Sequence, residues 1–152
     1  MSYNTLNNRK IVYMKKKMSL FSIKYHEGLL HVWLLFYRIL LSAFMLTHGW
    51  PKLMRLLSQE EISFPDPLGL GVMVSLALAV FAEVICSLFV IAGIATRLAV
   101  IPQIITMVVA IFMVHAGHSF AKKEMALLYL IGYITLLILG SGKYSVDRYF
   151  RK

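Results

Sequence analysis

Arg38 and Glu83 stand out because each is a lone charge inside an otherwise apolar block of the sequence. A charge at membrane depth costs about 2.5 to 3.5 kcal/mol on insertion scales, so each should face other helices and have a partner. At about 1.5 Å per helical residue, Arg38 lies roughly 10 Å beyond His31 and Glu83 roughly 15 Å before Gly93. Taken from one side of the membrane, those depths predict an Arg38–Glu83 ion pair, with Gln103 and Thr135 as polar neighbours. Such an inner layer could bind a ligand or handle protons, or it could fix helix register and nothing more.

A second polar group sits toward the other side. His48 and Lys52 are spaced i, i+4; His115, His118 and Glu124 close one apolar block and open the next. Together with Trp50 they predict an outer polar mouth. Histidines and a carboxylate could ligate a metal or move protons, but His-x-x-His across a helix end fits solvated interface residues better, and no metal is assigned. Tyr129 and Tyr133, again i, i+4, could stack on a planar ligand or bond to a neighbouring helix. Cys86 is the sole cysteine, which excludes an intramolecular disulfide, a CxxC redox pair and a cysteine-based zinc site. Arg97 and Asp147 are expected to form a structural ion pair.

The elements that must carry these residues are apolar. Of the 152 residues, 59% are hydrophobic, too many for a soluble fold of this size. Four blocks approach the ~20 residues that cross a hydrocarbon core. They run from about 31 to 50, 68 to 93, 98 to 114 and 125 to 140. Pro51 suits a span end or a kink before a turn ending near Leu57, while Pro65, Asp66 and Pro67 mark the start of the second block. The expected fold is all-α, a four-helix transmembrane bundle over residues 29–147. It is flanked by a basic tail at 1–28, disordered or lying at the interface, and a short basic tail at 148–152.

The net charge of +9 collects beside the apolar blocks instead of forming a stripe, which argues against nucleic acid as partner and for a lipid bilayer. Arg9, Lys10, Lys15, Lys16, Lys17, Lys24, Arg97, Lys143, Arg148, Arg151 and Lys152 fall on one side; Lys52, Arg55, Lys122 and Lys123 fall on the other. The side richer in Lys and Arg stays inside, so both termini are expected to be cytoplasmic.

With the spans placed, the chain resembles the DoxX family of small bacterial membrane proteins. The matching residues are Arg38, His48-Gly49-Trp50-Pro51-Lys52, Ala82-Glu83, Gly93, Thr96-Arg97, His115, Gly140-Ser141-Gly142 and Ser145-Val146-Asp147. The resemblance implies a multi-pass protein of the bacterial inner membrane. Relatives of the wider group include a membrane subunit of thiosulfate:quinone oxidoreductases, which implies a quinone-linked redox role. The chain has no haem ligand pair, nucleotide fingerprint or dithiol. The expectation is therefore a bound quinone and no intrinsic cofactor, with a redox enzyme partner or a homo-oligomer, and no catalysis by the chain alone. The alternative is a non-catalytic scaffold or assembly factor docking partners through its basic tail.

Overall fold

The computed structural model describes residues 26–58 and 63–150, so most of the basic tail at 1–28 and residues 151–152 of the C-terminal tail lie outside the described residues. Among the described residues the regular structure is all helical, joined by short turns and loops. Helix α1 covers Glu27–Leu57, α2 Val72–Ala92, α3 Thr96–Val114, α4 Phe120–Leu139, and a single turn, α5, Val146–Tyr149. Three of them, α1, α2 and α3, are long and apolar enough to cross a membrane. Helix α4 has 20 residues but carries Lys122, Lys123 and Glu124 in its first turns.

The packing is inverted relative to a soluble protein. Large apolar side chains such as Trp33, Phe36, Phe44, Leu98, Phe112 and Ile138 face outward, more than a soluble surface tolerates. Inside lie polar residues: Arg38, Ser42, Glu83, Ser87, Thr96 and Gln103 are all buried, among Met45, Cys86, Val90, Val100, Tyr133 and Leu136. In α1 the buried positions Leu34, Arg38, Ser42, Met45 and Gly49 recur every three or four residues and form one stripe toward the other helices.

Helix α1 continues six residues past Pro51. Proline has no N–H for the Thr47 carbonyl, which costs one helical bond, yet its fixed φ fits the helix. Helix α2 starts four residues later than the apolar block suggests, because Asp66 builds a turn ahead of it. Its carboxylate accepts N–H bonds from Leu70 (3.1 Å) and Gly71 (2.8 Å) and the Ser75 hydroxyl (2.7 Å). The far end of α2 closes in a Schellman motif, with Ile94 N–H on the Phe89 carbonyl, Gly93 N–H on the Val90 carbonyl, and Gly93 in the left-handed region at φ 70°.

Two segments leave the α-helical ladder. Phe81–Ile85 and Ala110–Val114 each form a π turn, in which one extra residue is wound into the helix. The first contains Glu83 and the second runs directly into His115. Such turns re-aim side chains and collect at functional positions.

Candidate functional site

Glu83 owes its position to Gly49. A Cβ at residue 49 would lie 3.0 Å from the Glu83 carbonyl carbon and 2.7 Å from Val84 Cγ2, so only glycine lets α1 and α2 approach this closely. One turn further along α1, Lys52 reaches across and donates to Glu83 Oε1. The two sides of the pair are unequal, since the lysine side chain is 30% exposed and the glutamate 3%. Lys52 also lies 5.8 Å from the centre of the Phe64 ring, a cation–π contact that ties the loop before α2 over the pair.

The Arg38–Glu83 pair expected from the sequence does not form; Lys52 takes its place. That expectation treats His31 and Gly93 as standing level. In the structure Gly93 lies against Arg38 itself, since a Cβ at residue 93 would come 2.9 Å from Arg38 Cζ. Glu83 is level with Gly49, eleven residues or about 16 Å along α1 from Arg38, beyond side-chain reach. Arg38 turns instead to the chain after α4 and donates to the carbonyls of Ser141 (3.3 Å) and Tyr144. It is a buried bolt between α1 and the C-terminal turn, with its charge spread over carbonyl dipoles.

Around Glu83 the other helices add polar groups. Tyr129 and Tyr133 of α4 stack at 6.2 Å with rings 18° apart, and His48 of α1 meets Tyr129 edge-on at 5.7 Å. Gln103 of α3 donates to the Ser87 hydroxyl at 2.8 Å. The cluster is not internally satisfied. Glu83 Oε2, the Tyr133 hydroxyl, Gln103 Oε1 and the Ser42 hydroxyl are all buried without a protein partner. Each such group costs roughly 1 to 3 kcal/mol unless something else bonds to it. All but Ser42, which stands seven residues along α1 from Gly49, belong to this cluster, and three such groups call for water or a polar ligand.

The remaining sequence-predicted residues divide. Thr135 bonds the Ile131 carbonyl of its own helix (2.8 Å) and adds nothing to the inner layer. Lys52 leaves the outer mouth for the interior, His48 joins Tyr129, and His115 and His118 pair with each other at 5.3 Å, while Glu124 is exposed. No group of three or more metal-ligating side chains occurs among the described residues.

Arg97 and Asp147 do not pair as expected, because each is taken by a helix end. Asp147 Oδ1 accepts the Ala95 N–H at 2.6 Å and Oδ2 the Thr96 N–H at 3.1 Å, so it caps α3 from fifty residues away. Ala95 needs this anchor, since it occupies the left-handed region at φ 45° without being glycine. Arg97 donates to the Ile138 carbonyl at the end of α4 (3.0 Å). Burial pushes the Asp147 carboxyl up, but the Thr96 and Ala95 N–H bonds outweigh it and hold the group below its ordinary value.

Apolar helices with their polar groups turned inward define a multi-pass membrane protein. The chain belongs to the DoxX family, whose sequence profile matches residues 33–116, more than half of its length. Arg38, Lys52, Glu83, Gln103 and His115 fall inside that match; Tyr129, Tyr133 and the turn at 140–147 lie beyond it. No curated protein and no solved structure matches the chain.

Proposed function

We propose that the protein is a membrane-embedded redox subunit that holds a quinone headgroup against Glu83, Lys52, Tyr129 and Tyr133 and works with a partner oxidoreductase. The observation that carries this reading is the pair of orphaned groups, Glu83 Oε2 and the Tyr133 hydroxyl, in a cluster that also holds a cation and stacked aromatic rings. Those groups fit a quinone. The tyrosine hydroxyl is a donor suited to a quinone carbonyl, the carboxylate an acceptor suited to a quinol hydroxyl, and the ring pair a wall for a planar headgroup. At the level of Glu83, a groove of about 410 Å³ opens between α1 and α2, lined by Leu46, Thr47, Trp50, Pro51, Val84 and Leu88. Its apolar walls suit an isoprenoid tail.

When bound, the quinone supplies the two-electron, two-proton chemistry that no side chain of this protein offers. The chain's own residues then bind and orient the headgroup and exchange its protons. Glu83 Oε2, the carboxylate oxygen that Lys52 leaves free, would accept a proton from a bound quinol hydroxyl, and the Lys52 ammonium, one-third open to the surface, would pass a proton on to water so that the pair stays neutral. Electrons pass to or from a partner. In this reading α4 forms the fourth span, with Lys122, Lys123 and Glu124 at the outer surface and its apolar remainder in the membrane. The positive-inside bias keeps both termini cytoplasmic in a bacterial inner membrane.

The experiment is a thermal melt of the full chain in mild detergent, with and without a short-tailed naphthoquinone. Wild type should gain stability by ligand linkage, and Tyr133→Phe, which removes only the hydroxyl, should lose most of the gain. A shift that is the same in Tyr133→Phe and Glu83→Gln would remove the cluster from the site, and no shift in wild type would end the quinone reading.

A further inference from the structure

A second cavity, of about 420 Å³, lies at the opposite end of the helices from the Lys52–Glu83 pair, between the α2–α3 turn and the chain leaving α4. It is within the size range of small-molecule sites. Its lining includes the cations Arg97, Lys143 and Arg148, together with His31 and one acid, Asp147; a second acid, Glu27, stands outside the lining and meets Lys143 at 3.6 Å in an exposed ion pair, which leaves three cations against two carboxylates. That acid is occupied: its two oxygens accept the N–H groups of Ala95 and Thr96. His31 Nδ1 is buried and has no protein partner. The floor is kept open by Gly140 and Gly142, both at positive φ. A Cβ at 140 would come 3.4 Å from Arg97 Nε, and one at 142 would come 3.5 Å from His31 Nδ1, filling the space between the two basic groups.

The rim has a different character. Leu98 and Leu139, 69% and 48% exposed, flank the cavity with apolar side chains. A basic, partly enclosed wall beside an apolar rim at a helix-end layer matches an amphiphile with an anionic head. Excess positive charge selects against a zwitterion, and the glycine floor admits a bulky group to the guanidinium.

We infer that this cavity binds the phosphate headgroup of an anionic phospholipid, with Arg97, Lys143 and Arg148 holding the phosphate and the acyl chains leaving past Leu98 and Leu139. The site is separate from the Glu83 cluster and independent of the quinone reading. It fixes a membrane lipid at the turn where Arg38 and Asp147 join the helices to the C-terminal segment.

The test reconstitutes the full chain in nanodiscs of equal phosphatidylglycerol and phosphatidylcholine, then extracts it into mild detergent and quantifies retained phospholipid by mass spectrometry. Wild type should retain phosphatidylglycerol about tenfold over phosphatidylcholine, and the double variant Lys143→Gln, Arg148→Gln should lose most of that preference, each cation near such a surface contributing measurably. A control, Lys122→Gln with Lys123→Gln, removes the same charge at the opposite end of α4 and should keep it. Equal loss in both double variants would reduce the effect to general charge and overturn the site, as would full retention in Lys143→Gln, Arg148→Gln. In a thermal melt of the delipidated chain, phosphatidylglycerol should raise the melting temperature and inorganic phosphate should not; a shift as large with inorganic phosphate alone would make the cavity a site for free phosphate and overturn the lipid assignment. Helical circular dichroism of each variant confirms that the comparison is between folded proteins.

Discussion

Lys52 and Glu83 do not lose equally when the other is removed. Taking away Lys52 strands a carboxylate whose side chain is 3% exposed, whereas taking away Glu83 leaves an amine that is 30% exposed and can turn to water. Breaking a buried pair typically costs about 3–5 kcal/mol through the charge left behind. Lys52→Met should therefore destabilise by several kcal/mol, and Glu83→Gln by clearly less, in denaturation followed by circular dichroism. Equal losses would mean that the lysine, once unpaired, is held in the interior just as the glutamate is. Gly49 is the companion position. Gly49→Ala puts a methyl 2.7 Å from Val84 Cγ2 and 3.0 Å from backbone, so it should cost about 1–3 kcal/mol and loosen the ion pair. The importance of Arg38 and Glu83 was legible in the sequence as single charges in apolar blocks. Their partners were not, because pairing depends on which residues of two helices stand level, and apolar block ends do not mark that level.

Among the elements, what holds the α2–α3 turn is Asp147. Its carboxyl sits below the ordinary carboxylate value because, although burial raises it, the Thr96 and Ala95 N–H bonds lower it more. Asp66, ahead of α2, is lowered by the Ser75 hydroxyl and by backbone N–H groups. A depressed folded-state value means that these groups add stability above the unfolded value of about 3.9 and lose it as pH falls through the folded one. Melting temperature in detergent should accordingly hold above about pH 4 and drop below it. Asp147→Ala should lower stability by about 1 kcal/mol at neutral pH, as for other lost helix caps, and make the acid-side drop shallower. An unchanged acid profile would show that Asp147 carries no linked stability. The helices themselves were readable from apolar length and from the Pro65-Asp66-Pro67 and Gly93 punctuation. The two π turns were not. One extra residue in a helix has no composition signal, although it sets where Glu83 and His115 point.

For the whole molecule, the question is how many times the chain crosses. Helices α1, α2 and α3 have the length and apolarity, while α4 has the length but a charged first turn. Gly28 and Gly117 have open space around them, so cysteines placed there, or at exposed Arg148, in a Cys86→Ala background should leave the fold intact. With four crossings, a membrane-impermeant maleimide should label Gly117→Cys from one face and Gly28→Cys and Arg148→Cys from the other. Labelling of Gly117→Cys and Arg148→Cys from the same face would leave α4 outside the membrane. Family membership was legible from a scatter of residues in order. The close approach of the C-terminal turn to Arg38 and of Tyr129 on α4 to His48 on α1 was not, because neither contact has a local signature.

Everything proposed for the Lys52–Glu83 cluster turns on whether its unpartnered polar groups hold a quinone. Native mass spectrometry of the full chain, extracted from membranes in mild detergent, answers this when Glu83→Gln and Tyr133→Phe are prepared in the same way. Wild type should carry a quinone mass that is strongly reduced on both variants at equal helical content. A folded wild type without any quinone, or variants that retain as much as wild type, would contradict the quinone assignment.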